Sequence, residues 1–103
     1  MIDEKAIYEW LYGVKVEKRS NGYCGLYVDE MDRPFWLRLP SLDMNTAHGE
    51  CIPKLREEGV TVMYNNMDSH EWWLDPVGNV RDPFTNPDFY AALTEYLKEE
   101  VGP

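Results

Sequence analysis

Two histidines and two cysteines are the residues of this chain whose chemistry would suit catalysis or metal binding. His48 and Cys51 are three positions apart, a spacing that would place both side chains on one face of a helix as a Cys–His dyad. Cys24 and His70 would complete a set of four metal ligands, although zinc sites usually contain closer pairs such as Cys-x-x-Cys. Cys51 also fits the buried stripe of a predicted helix, where a thiol is unreactive. We therefore expect a non-enzymatic protein with no metal and no cofactor. A small metal-binding or enzymatic domain that uses His48 and Cys51 is an alternative.

Sequence motifs of the common enzyme classes are not found in the chain. It contains neither a Gly-rich phosphate-binding loop nor a Gly-x-Ser-x-Gly nucleophile elbow. Asp29, Glu30 and Asp32 are spaced like part of a calcium-binding loop, but the glycine and the terminal glutamate of such a loop are missing. These observations favour a protein that acts by binding.

Length and composition are typical of one folded domain. The chain has 103 residues, of which 44% are hydrophobic and 14% aromatic, and we predict a single domain over residues 1–103. The net charge of −9 argues against direct binding to DNA or RNA, whose phosphates would repel it. No apolar run approaches the ~20 residues of a membrane span. The first residues lack a signal-peptide core, so we expect a cytoplasmic protein that binds no membrane.

Hydrophobic periodicity predicts the order helix, three strands, helix, two strands, helix. Apolar residues recur every three or four positions in the helical segments and every second position in the strands. The predicted fold is α+β, with a mostly antiparallel sheet of about five strands and three helices. The predicted helices span 3–12, 41–58 and 86 onward. The predicted strands span 14–19, 23–29, 35–39, 60–64 and 71–74, with 80–83 as a short extension or a loop.

Residues at the ends of the first elements support these assignments. Asp3 is suited to cap the first helix, because its side chain accepts hydrogen bonds from unpaired backbone N–H groups. Gly13 is suited to end that helix, because glycine readily adopts the left-handed conformation. Asn21-Gly22 is the strongest short signal for a β-hairpin.

The second and third helices carry proline and cap signals. Ser41 or Asp43 is expected to cap the second helix. Pro53 lacks a backbone N–H and would clash with the carbonyl of Gly49, which predicts a kink or a later helix start. Asn86 is expected to cap the third helix, with the following proline at its first position.

Acidic residues are concentrated in the C-terminal third. Residues 1–65 contain 11 acidic and 8 basic side chains, whereas residues 66–103 contain 8 acidic and 2 basic ones, interleaved with aromatic residues. Aromatic anchors inside a charged rim are typical of interfaces with an oppositely charged partner. A solvated surface that keeps a small protein soluble is the alternative. For a binding face we predict six contact residues, which are Glu71, Trp72, Asp75, Asp82, Glu95 and Glu99.

Three short motifs follow one another along most of the chain. The first helix ends in a glycine followed by a charged strand, Tyr12–Val16. A Pro-Ser-x-Asp entry at Pro40–Asp43 and an early Ala47 lead to a Lys-Leu-Arg-Glu-x-Gly exit at Lys54–Gly59. The closing helix carries Tyr90–Leu93, rich in Ala and Leu. In this order the motifs resemble the small phage and prophage proteins grouped as the phage αβα-sandwich domain. That family has no generally assigned activity or catalytic residues, so the resemblance implies a genomic setting and no site.

Charge and resemblance together lead to one predicted function. We predict an acidic, phage-type accessory protein that binds a basic protein partner and inhibits a nucleic-acid-handling host factor such as a defence nuclease. An immunity or antitoxin-like protein that neutralises a toxin would carry the same charge pattern and is an alternative. A homodimer that buries the apolar strand face at a symmetric interface is a further alternative.

Overall fold

Two separate three-stranded antiparallel sheets and three helices make up the described part of the chain. A computed structural model describes residues 2–76 and 82–101. Its elements confirm the α+β class. The expected single sheet of about five strands is wrong, because the described strands form two sheets of three, with orders β1-β2-β3 and β4-β5-β6.

Helix α1, Glu4–Tyr12, explains this separation. Ile7 is buried in the larger core together with the second sheet and the other two helices, whereas Tyr8 is buried in a smaller core against the first sheet. Neighbouring residues of one helix thus face two cores, which places α1 between the sheets. Both ends agree with the sequence, since the Asp3 carboxylate accepts the backbone N–H of Ala6 and Gly13 is left-handed at φ 66°.

The first sheet consists of β1 (Val16–Arg19), β2 (Gly22–Val28) and β3 (Pro34–Arg38). The β1–β2 hairpin confirms the predicted hairpin, but its turn is one residue earlier than expected, at Ser20 and Asn21, and Gly22 begins β2. Gly25 lies in β2 at a closely packed point of this sheet. A Cβ atom there would come within 3.0 Å of both the Val14 Cγ2 and the Tyr27 Cε2 atoms. The missing side chain therefore allows the close packing of this face.

Helix α2 begins after Asp43 and runs through Met44–Thr46, a π-helical turn Ala47–Cys51, and Ile52–Glu57. Pro53 cannot donate to the preceding turn, and the helix accommodates it by widening. The N–H of Ile52 bonds to the carbonyl of Ala47, five residues back. The irregularity predicted from Pro53 is therefore a π-helical turn.

The C-terminus of α2 carries an acidic residue, Glu58, which helix electrostatics alone would disfavour. Its carboxylate accepts hydrogen bonds from the indole Nε1 of Trp10 at 2.8 Å and from the hydroxyl of Tyr96 at 3.0 Å. Glu58 therefore links the end of α2 to the other two helices, which accounts for its position.

The second sheet consists of β4 (Val60–Asn65), β5 (Glu71–Pro76) and β6 (Phe84–Asn86). Its inner face packs against α2 and the last helix, with Val60 and Leu74 almost fully buried. The extension or loop predicted at 80–83 lies partly outside the described residues. Asp82 and Pro83 are not in a strand, and β6 starts at Phe84.

Helix α3 comprises Phe89–Tyr96 and a π-helical turn, Leu97–Val101. The expected capping by Asn86 is wrong, because Asn86 pairs with Trp72 in the sheet. The cap is Asp88, whose carboxylate accepts the backbone N–H of Tyr90 at 2.9 Å. The side chain of Asn86 instead accepts the N–H of Asp88 at 2.8 Å. Over residues 2–76 and 82–101, no helix is long and apolar enough to cross a membrane.

Replacing Asp88 with alanine tests this cap. We expect the free energy of unfolding to fall by about 1 kcal/mol, because an N–H in the first turn of α3 loses its acceptor. Asp88→Asn keeps an acceptor oxygen and should cost only a few tenths of that loss. Urea denaturation followed by circular dichroism measures both variants. Equal losses in the two would show that the side-chain cap does not stabilise α3.

Candidate functional site

Three of the six predicted contact residues line one surface cleft. Asp82, Glu95 and Glu99 surround it together with Phe84 and Lys98, and its volume is about 350 Å³. We call these five residues the acidic cleft. Asp82 is distant from Glu95 and Glu99 in the sequence, and the fold brings the three carboxylates together where β6 meets α3.

Two elements position the side chains of the acidic cleft. Glu95 and Glu99 are four residues apart along α3, so they project from the same side of the helix. Phe84 stands on β6 and is half-buried, with its ring edge-on to that of Tyr96 at 5.9 Å between centroids. The aromatic wall of the cleft is thus anchored in the core, and the carboxylates lie at its solvent side.

The charge of the acidic cleft suits a cationic ligand. Three carboxylates and the single ammonium of Lys98 give a formal charge of −2 at neutral pH. Carboxylates bind the guanidinium of arginine and the ammonium of lysine through charge-assisted hydrogen bonds. The ring of Phe84 offers a surface for the alkyl stem or the charged group of such a side chain.

Glu71 and Asp75 lie elsewhere, on the outer face of the second sheet. Side chains alternate along β5, so both project to the side away from the helices. Trp72 projects to the opposite side. Its ring contacts those of Phe89 and Tyr64, each at 5.2 Å between centroids. The structure therefore does not bring Trp72 together with the two carboxylates.

Trp73 is the aromatic residue that shares the outer face with Glu71 and Asp75. It lies between Met63 on β4 and Thr85 on β6. Its indole Nε1 is buried and has no hydrogen-bond partner among the described residues. The sequence does indicate that Trp73 shares a face with Glu71 and Asp75, because it is two positions from each of them and side chains two positions apart in a strand project to the same side.

His48 and Cys51 do not combine with other ligands. No group of three or more His, Cys, Asp or Glu side chains in the described ranges is placed to hold a metal ion. Cys51 is completely buried, and this burial raises the pKa of its thiol to about 12. The hydroxyl of Tyr90 donates its hydrogen bond to the carbonyl of Asp43. His48 is exposed, with its ring 5.8 Å from that of Trp72. At neutral pH Cys51 is therefore a protonated core thiol.

Comparison with known proteins identified no relative of this chain. The chain matches no protein-family model, no curated protein and no solved structure. The resemblance to the phage αβα-sandwich domain stays a prediction that rests on its motifs. Functional inference therefore depends on the geometry and charge of the surface.

Proposed function

We propose that this protein is non-enzymatic and acts by binding a basic partner protein through the acidic cleft. The observation that carries this proposal is the convergence of Asp82, Glu95 and Glu99 around the ring of Phe84. Carboxylates at the rim of the cleft would orient the basic partner and speed its association. The apolar ring of Phe84 would stabilise the complex, because binding removes its surface from water.

The outer face of the second sheet supports the same kind of partner. Glu71, Trp73 and Asp75 form a row in which a large aromatic side chain stands between two carboxylates. Tryptophan is among the residues most often found at the energetic centre of an interface. The unpartnered Nε1–H of Trp73 could donate to a carbonyl of the partner after a small side-chain movement.

The partner class follows from the chemistry of phosphate recognition. Proteins that handle nucleic acid present lysine and arginine side chains along a groove for phosphates. A protein of net charge −9 with clustered carboxylates is complementary to such a groove. We therefore infer a phage-type cytoplasmic inhibitor of a nucleic-acid-handling host factor, for which a defence nuclease is the leading candidate.

Charge-neutralised variants provide the test. The tagged chain, Glu95→Gln/Glu99→Gln and the control Glu9→Gln/Glu57→Gln are used to capture proteins from a bacterial lysate at low and high salt. The two double variants change the net charge equally, but the control changes only exposed residues of α1 and α2. Affinity for the captured protein is then measured with purified components.

We expect the wild type and the control to bind one basic protein within about threefold of each other, with release at high salt. The cleft variant should bind it at least 10-fold more weakly, about 1.4 kcal/mol. An affinity unchanged by salt would contradict the proposal. If both variants bound the captured protein equally weakly, the overall negative charge and not the acidic cleft would be responsible for binding, and the proposal would be wrong. A toxin as the captured protein would favour the immunity-protein alternative.

A further inference from the structure

Strand β3 has an edge whose backbone groups pair with no other part of the chain that the structure describes. In the first sheet, β3 pairs with β2, and no described strand pairs with its other side. Leu39 N–H donates to the Tyr23 carbonyl at 2.9 Å, and Asp29 N–H donates to the Arg33 carbonyl at 3.0 Å. Along an antiparallel strand, residues that hydrogen-bond to the neighbouring strand alternate with residues that do not, so the odd-numbered residues of β3 bond to β2. Trp36 and Arg38 therefore direct their N–H and C=O groups outward.

The side chains beside this edge are apolar and exposed. Phe35 and Leu37 keep 42% and 50% of their surface accessible, although both lie in a strand. Edge strands are usually protected by charge, by proline or by a covering element. Here Pro34 stands at the start of β3, where its missing N–H would also have pointed outward. The rest of the edge remains able to pair.

Charge distribution favours a second copy of this chain as the occupant. Residues 14–39 contain five basic and four acidic side chains, whereas the rest of the chain contains five basic and fifteen acidic ones. Two copies that approached through their acidic parts would repel each other. The first sheet is therefore the part of the chain through which like copies can meet without this repulsion.

We propose that two copies pair through β3 in antiparallel orientation, about a two-fold axis at Trp36, to form a continuous six-stranded sheet. This register places Phe35 opposite Leu37 of the second copy on one face and the two Trp36 side chains opposite each other on the other. It makes four backbone hydrogen bonds. Two join the Trp36 residues, and two run from Arg38 N–H to the carbonyl of Pro34.

The same register is complementary in charge. Arg38 of each copy lies opposite Pro34 of the other, next to its β2–β3 turn. That turn carries Asp29, Glu30 and Asp32, of which Asp29 already pairs with Arg33 at 3.0 Å. Glu30 and Asp32 are exposed, so they are placed to attract Arg38 of the second copy. The pairing is independent of the proposed partner binding and leaves the acidic cleft uncovered.

Sedimentation of the full chain between 1 µM and 1 mM tests the association. We expect a monomer–dimer equilibrium with a Kd on the order of 10–100 µM, because a five-residue strand pair is a small interface. Arg38→Glu should weaken it at least 10-fold. The control Lys15→Glu makes the same charge change next to β1, the strand at the other edge of this sheet. It should change the Kd of the dimer less than twofold. A monomer at every concentration, or equal effects of the two substitutions, would overturn the proposal.

Cross-linking tests the register with Phe35→Cys and Leu37→Cys. These positions face each other across the two-fold axis at a Cα separation of about 4.5 Å, within disulfide range. An oxidised mixture of the two variants should give a covalent dimer. Each variant alone should not, because its own cysteines would be about 8 Å apart. The native Cys24 and Cys51 are buried and do not compete. Cross-linking of one variant alone, or a dimer that the mixture cannot cross-link, would refute this pairing.

Discussion

Replacing Phe89 with alanine should lower the free energy of unfolding by about 3–5 kcal/mol. Phe89 is the first residue of α3 and is only 2% exposed. Its ring meets those of Trp72 and Tyr90, each at 5.2 Å between centroids. Truncation leaves a cavity at the point where the second sheet and two helix N-termini meet. A loss of this size is a large part of the total stability of a domain of this length.

Urea denaturation of Phe89→Ala and of Met67→Ala measures the effect. Met67 is 85% exposed, so its truncation should change the free energy of unfolding by less than about 0.5 kcal/mol. If Phe89→Ala lost less than about 1.5 kcal/mol, Phe89 would not be at the centre of the core. Loss of the cooperative transition would show that stability is lost altogether.

Alkaline pH should destabilise the folded protein, starting near pH 9. Burial raises the pKa of the Cys51 thiol from its ordinary value of 9.0 to about 12. Between these values the unfolded chain releases the proton and the folded chain keeps it. Stability is therefore complete below pH 9 and is lost as pH rises toward 12. Burial likewise raises the pKa of the tyrosines at positions 8, 12 and 90, which extends the effect above pH 10.

One retained proton corresponds to about 1.4 kcal/mol per pH unit. With solvent screening included, we expect the free energy of unfolding to fall by about 2 kcal/mol from pH 9 to pH 11. Urea titrations at half-unit steps measure this slope. Cys51→Ala removes the thiol, so its slope should be shallower even though its stability at pH 7 is also lower. Equal slopes for the variant and the wild type would show that Cys51 does not titrate differently in the two states.

Partner binding can be separated from self-association because the two surfaces use different parts of the chain. Substitutions at Glu95 and Glu99 should weaken capture of the basic partner and leave sedimentation unchanged. Arg38→Glu should do the reverse. A single variant that altered both properties equally would indicate that dimer formation and partner binding are coupled.

Local features of the fold were predictable because their causes are a few residues apart. Asp3 and Gly13 mark the ends of α1, since a cap needs only its own helix and a left-handed glycine needs only its own backbone. Pro53 predicts an irregular α2 because it lacks an N–H. The cap of α3 was misplaced by two residues, because the pairing of Asn86 with Trp72 depends on a strand fourteen residues away.

The candidate site was partly predictable for the same reason. The acidic character of the C-terminal third is a matter of composition, and three of its carboxylates do line one cleft. The choice between Trp72 and Trp73 required knowledge of which side of β5 the helices cover. Alternation separates the two side chains but does not say which one faces the core.

By itself the sequence determined the three helices, five of the six described strands and the acidic character of the surface, because propensity, capping and charge belong to neighbouring residues. Only the tertiary structure decided that the strands divide into two sheets with α1 between them. It alone brought Asp82, Glu95 and Glu99 together, and it alone left one edge of β3 unpaired among the described strands. Such arrangements depend on which apolar faces pack against each other, and many pairings of the same elements satisfy the same local preferences.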